Sequence, residues 1–254
     1  MSKSSAAALA IVLTVLTAGC SDDPGHQAAP ASAAASRSAS PSASPSPSAP
    51  KFAATDAWAA ALDSALTPAL KRYGTKVAMP RAGGVDTKTD LTLEPCAGNS
   101  TVPGDDVYVK GVGAREYTAY TDKDNRSVEL QVVAFVDAAT ASGAFEKVVA
   151  ATGTCPKTVG SMFPDVGYEV RVERITVAGA SAVVVSRRMT LKQGVTQGVA
   201  GTSDVYLVHG ATLVRVIVDV QRTVSADRTG TVRDAARSVA LEAAPAFVAA
   251  IPVA

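Results

Sequence analysis

Arg171, Arg174, Arg187, Arg188 and Arg215 each stand inside a run rich in β-branched and other apolar residues, so each is expected on a β-strand. A guanidinium presents a planar fork of donors that matches a carboxylate or a phosphate, and arginines converging from neighbouring strands would form an anion site. Arg187 and Arg188 are best placed for ligand contact in this reading, with Tyr168 and Tyr206 as the walls of a pocket. The competing use is structural. Glu169 and Glu173 share a strand face with Arg171, and cross-strand ion pairs are the ordinary employment of such charges.

Hydrolytic and metal chemistry find less material. The chain has two histidines; His26 opens a low-complexity stretch, so any Ser-His-Asp arrangement must use His209. Ser203 and Asp204 lie near it in sequence, but His209-Gly210 reads as a hairpin tip, and a catalytic base needs an orienting acid and a defined nucleophile. Asp122-Lys123-Asp124-Asn125 has part of the acidic spacing of a calcium loop without its glycine or its distal glutamate, and Asp105-Asp106 has no more. Gly111-Val112-Gly113 is too short to cradle a phosphate and opens no helix. The expectation is no catalytic residue, no metal and no cofactor.

Three cysteines carry the remaining chemistry. Residues 1–19 read as a lipoprotein signal peptide: Lys3 supplies the positive charge, and Ala6 to Ala18 is almost entirely small or apolar. Thirteen helical residues reach roughly 20 Å, short of a bilayer core of about 30 Å. Leu16-Thr17-Ala18-Gly19-Cys20 resembles a lipobox with its leucine one position early, which makes Cys20 the lipidation site and the mature N-terminus. Two or more acyl chains, palmitate among them, hold a protein on a membrane where one does not. Cys96 and Cys155 remain as an even pair in an exported domain, so a disulfide is expected. It would close a loop of about 60 residues, worth roughly 4 kcal/mol on the chain-entropy account.

The segment 20–51 is a tether. Between Gln27 and Pro50, 22 of 24 residues are Ala, Ser or Pro, which gives the segment nothing to bury and leaves its chain entropy unopposed. Its Ser-Pro pairs are candidate O-glycan acceptors. The folded body is then 52–254, long enough for one substantial core. The 24 Lys and Arg against 23 Asp and Glu provide no basic excess of the kind that marks a nucleic-acid-binding protein.

The body must supply the elements that position those arginines. Thr55 caps a helix with Trp58, Leu62, Leu66, Leu70 and Tyr73 at helical spacing. Thr67-Pro68 predicts a kink or a second start before the stop at Gly74. The stretch Pro80 to Pro103 is expected to be loop, with a short strand at Leu91-Thr92-Leu93. Arg115 to Asp122 and Ser127 to Val136 form a hairpin in which Val128, Leu130 and Val132 face a core while Ser127, Glu129 and Gln131 face a wetter side. Asp137 caps a second helix whose stripe is Ala141, Phe145, Val148, Val149 and Thr152. Strands follow at Tyr168 to Ile175, Ala182 to Thr190 and Asp204 to Val220, the last turning at His209-Gly210. A final helix runs from Thr231 to Ala244, before Pro245. The fold class expected is α+β, a single domain with a twisted antiparallel sheet and helices packed mainly on one face.

The strand Ser127 to Val136, the helix opened by Asp137-Ala138-Ala139 and leading to Thr154-Cys155-Pro156, and the strands Val205 to Val208 and Ala211 to Val216 before an Ala-rich helix resemble the extracellular sensor domain of the actinobacterial kinase PknH and the tethered lipoproteins that share it. The resemblance covers about Leu91 to Ala250. It implies a non-enzymatic sensing module whose cleft takes a ligand. The kinase domain carries a second disulfide in its later half, whereas this chain has no cysteine after Cys155. The expected function is a lipid-anchored protein on the outer face of the cell membrane that binds a small ligand. The alternatives are docking of an envelope protein and, behind it, weak hydrolase activity.

Overall fold

Strand periodicity dominates the body, and the sheet it builds is the frame for everything else. The structure, a computed structural model, describes residues 52–78, 90–96, 107–121, 125–160, 166–191, 199–222 and 231–252. Cys20, the tether, Asp105-Asp106 and Asp122 to Asp124 lie outside the described residues. The elements are α1 (Asp56–Leu70), β1 (Lys76–Ala78), β2 (Asp90–Leu93), β3 (Val107–Lys110), β4 (Gly113–Thr121), β5 (Arg126–Ala134), α2 (Ala138–Gly153), β6 (Thr158–Gly160), β7 (Val166–Val177), β8 (Ala180–Leu191), β9 (Val199–His209), β10 (Thr212–Arg222) and α3 (Thr231–Ala250).

Eight strands form one antiparallel sheet in the order β1-β4-β5-β10-β9-β8-β7-β6, and β2 and β3 pair as a separate ribbon. Consecutive strands β7 to β10 lie side by side in chain order as an antiparallel meander. Gly210 adopts a positive φ of 57° at the β9–β10 tip, as the His209-Gly210 pair predicts.

Alternation assigns each strand two faces. One carries Val128, Leu130, Val132, Val184, Val205, Leu207, Val214, Val216 and Val218, and α1 and α3 pack against it. The other carries Val133, Val183, Val185, Tyr206 and Leu213 and is covered by α2 and the ribbon. The class is therefore α+β, with two of the three helices on one face and α2 on the other. Gly201 permits the close approach of α3 to β9: a Cβ there would lie 2.6 Å from the Val232 backbone.

The second start expected at Thr67-Pro68 and the stop expected at Pro245 are both overridden. The Thr55 side chain accepts the Trp58 N–H as expected, but α1 continues through Pro68, and the Thr67 hydroxyl donates to the Asp63 carbonyl instead of capping a new helix. The third helix runs past Pro245 to Ala250, because Phe247 and Val248 go into the core beyond it. Burial of that extra turn outweighs the hydrogen bond lost at the proline. Strands β1, β3 and β6 are additions to the sequence reading. Two of them have three residues and the other four, too short for an alternation signal.

Candidate functional site

On the face that bears α2, the residues change character partway across the sheet. Where α2 lies, the strands present Val133, Leu213 and Val183; farther along the same strands they present Glu129, Gln131, Arg187, Thr202, Asp204, Arg215 and Asp219. Register brings these into one patch: Arg215 sits opposite Gln131 on β5 and Tyr206 on β9, and Ile217 opposite Glu129 and Asp204. Glu94 and Pro95, which follow β2, lie above them. A cleft of about 460 Å³ results, with Thr92 and Glu94 on its ribbon side, Tyr168 at one end, and the sheet residues beneath.

The floor is a closed ionic network. Asp204 is fully buried; its Oδ1 accepts from Arg187 Nη2 at 2.8 Å, and its Oδ2 from Arg215 Nη2 at 2.6 Å and from the Tyr206 hydroxyl at 3.0 Å. Arg187 Nη1 donates to the Pro95 carbonyl at 2.8 Å, and Arg215 Nη1 to Gln131 Oε1 at 3.3 Å. The Arg215 guanidinium lies 5.3 Å from the Tyr206 ring centroid. Burial alone would push the Asp204 carboxyl up, but Arg187 and Arg215 outweigh it and hold the group below the usual carboxylate range. Burial likewise opposes charge on the two arginines, and Asp204 more than restores it, raising both. Burial, with Asp204 beside it, holds the Tyr206 hydroxyl protonated. Such a network is costly to break and leaves its guanidiniums little to offer a ligand.

The walls have the opposite character. Glu129 is pushed upward by burial, then by the charges of Asp219 and Glu116, against the pull of Arg215. Asp219 is also raised, by burial first, although the Thr202 hydroxyl donates to its Oδ1 at 2.5 Å and stabilises the charged form. With Glu94 these make three carboxylates facing one concavity, and the two cations beneath them share Asp204, so acids outnumber bases at the site. The cleft is electrostatically suited to a cation.

The residues expected at a site are thus partly gathered. Arg187 and Tyr168 line the cleft, and Tyr206 stands behind them in its floor. Arg188 points the other way on the strand and shares Glu169, at 3.6 Å, with Arg233 of α3. Arg171 and Arg174 lie on β7, toward the sheet edge. His209 is about 17 Å along β9 from Asp204 at strand spacing; Asp204 is occupied by arginines, and Ser203 pairs with Ser186 at 2.7 Å on the opposite face. That trio does not assemble. The expected disulfide is present between Cys96 and Cys155, 59 residues apart. It holds the segment after β2 against the end of α2 and, with the Pro95 carbonyl bonded to Arg187, fixes Glu94 over the cleft.

Glu129, Asp204 and Asp219 were not singled out as ligand contacts by the sequence reading. Their signal was available: a carboxylate or guanidinium flanked by apolar residues in the middle of a strand must be partnered or aimed at a cavity. No group of three or more His, Cys, Asp or Glu among the described residues is placed to hold a metal ion, and no described helix is long and apolar enough to cross a membrane. No family model, curated protein or solved structure matches the chain.

Proposed function

We propose that this protein is a lipid-anchored, extracytoplasmic binding module that takes a small polar ligand in the cleft between ribbon and sheet and performs no chemistry on it. Lys3, the apolar run and Cys20 support the anchor; the Ala, Ser and Pro tether would lift the domain off the membrane. The resemblance to the PknH-type domain supports a sensing role, with the signal passed to a separate partner.

The cleft carries the reading. Concave, mixed-polarity sites with convergent polar groups are where small ligands bind. Its charge pattern specifies a ligand with a positive group: Arg187 and Arg215 are committed to Asp204, while Glu94, Glu129 and Asp219 face open space. Burial first, and repulsion from neighbouring carboxylates after it, raise Glu129 and Asp219, and a bound ammonium would favour their charged forms against both. Docking of an envelope protein has one observation in its favour, Tyr108 on the ribbon at 56% exposure. A single exposed aromatic is ordinary for a monomer surface.

The test is thermal denaturation of the full chain in neutral detergent against a panel of amines (spermidine, arginine amide, choline) and of anions (citrate, phosphate). A ligand at about 100 times its Kd adds about 2.7 kcal/mol, a rise of about 5–10 °C for a domain of this size. The rise is expected with an amine and lost in Glu129→Gln with Asp219→Asn. Stabilisation confined to the anions, or undiminished in that variant, overturns the assignment.

A further inference from the structure

A second concavity lies at the other side of the sheet, beyond the cleft. About 690 Å³ in size, it runs along β7 between the end of α2, the segment entering β6 and the first turn of α3. Lys157, Arg171, Arg174 and Arg233 line it, against the single carboxylate of Glu169. The nearby acids are shared out. Glu169 lies 3.6 Å from both Arg188 and Arg233, and Glu173 lies 2.6 Å from both Arg171 and Arg237. Lys157 and Arg174 are exposed and have no ion pair among the described residues.

Three elements therefore deliver cations to one hollow with too few anions to neutralise them. Two structural uses compete. Charges on an edge strand deter edge-to-edge pairing, and β7 pairs with β6 only over Gly167 to Glu169. The last turn of α2, with no basic residue of its own, welcomes a nearby cation at its negative end. One or two charges meet both needs; the α3 cation, Arg233, lies 3.6 Å from Glu169 and 3.9 Å from Asp234, which leaves Lys157 and Arg174 as the charges without an acid among the described residues.

We infer that this groove binds a phosphate-bearing anion. Guanidinium forks from β7 and α3 with an ammonium from the β6 segment suit an oxyanion carrying several charges, whether a headgroup of the membrane to which the chain is tethered or a soluble polyphosphate. The site is separate from the cleft, so its failure leaves the cleft assignment standing.

Calorimetric titration of the full chain in neutral detergent micelles, with tripolyphosphate as probe, tests it. At about 20 mM salt, where screening extends roughly 20 Å, binding is expected, and it weakens steadily as salt rises. The double substitution Lys157→Glu and Arg174→Glu, at exposed side chains, is expected to lower affinity at least about tenfold with an unchanged melting profile. Glu129→Gln with Asp219→Asn, in the cleft, is expected to leave it intact. Doping the micelles with phosphatidylglycerol separates the sources: competition with tripolyphosphate assigns headgroups, and its absence assigns the soluble anion. No binding at low salt, equal binding by the charge-reversed variant, or loss of binding only in the cleft variant overturns the inference.

Discussion

The cleft and the β7 groove use the same residue types to opposite ends. In the cleft, buried Arg187 and half-buried Arg215 are locked onto Asp204, so the carboxylates around them set the field. In the groove, arginines stand near water and outnumber their acids, so the cations set it. Burial makes the difference. A charge inside the sheet must have a fixed partner, whereas one at the edge keeps its hydration and needs none. Counting arginines cannot separate the two, because the useful charge is what remains after the buried pairs have cancelled.

The sharpest way to break this contrast is to remove the acid beneath the cleft. Asp204→Ala leaves Arg187 and Arg215 unpaired and is expected to cost roughly 3–5 kcal/mol in denaturant unfolding; a loss below about 1 kcal/mol would mean the pair behaves like a surface one. Reducing or replacing the Cys96–Cys155 bridge is expected to cost about 2–5 kcal/mol. It should also weaken amine binding in the cleft, since the bridge anchors the segment bearing Glu94, and leave tripolyphosphate binding in the groove largely unchanged.

The pH profile sharpens the comparison from another side. Glu129 and Asp219 titrate above their unfolded values, so they favour the folded state most when protonated: stability should rise as pH falls from neutral through their raised values. Asp204 is lowered and works in the opposite sense, its contribution being lost as pH falls below the ordinary carboxylate value of about 4. Denaturation across pH should therefore show a maximum on the acid side of neutral, flattened in Glu129→Gln with Asp219→Asn. Smallest of all, Arg174→Ala at the edge should change stability by no more than about 0.5 kcal/mol. A larger loss would make it a structural residue.

Much of the frame was legible because periodicity reports burial directly. Val128, Leu130 and Val132 declared a core face and Glu129 and Gln131 the other, and these last two now line the cleft. Asp137 announced α2 through its side chain, which accepts from the Thr140 N–H at 2.7 Å. Proline misled twice, since local propensity at Pro68 and Pro245 yields to apolar burial that no window of sequence contains. Arg187 and Arg188, adjacent and chemically alike, could not be told apart without the pairing of β8 with β9.

What the chain determined alone was local or additive: which runs alternate, where helices are capped, that two cysteines were available to pair, and that charge overall is balanced. Tertiary structure alone decided which charges cancel. The order β5-β10-β9-β8 sets Asp204 among residues 11 and 17 positions distant, while β7 near the sheet edge keeps its cations in reach of solvent. The reason is physical. Electrostatic energy depends on distance and on the surrounding dielectric, and strand order, not sequence proximity, fixes both.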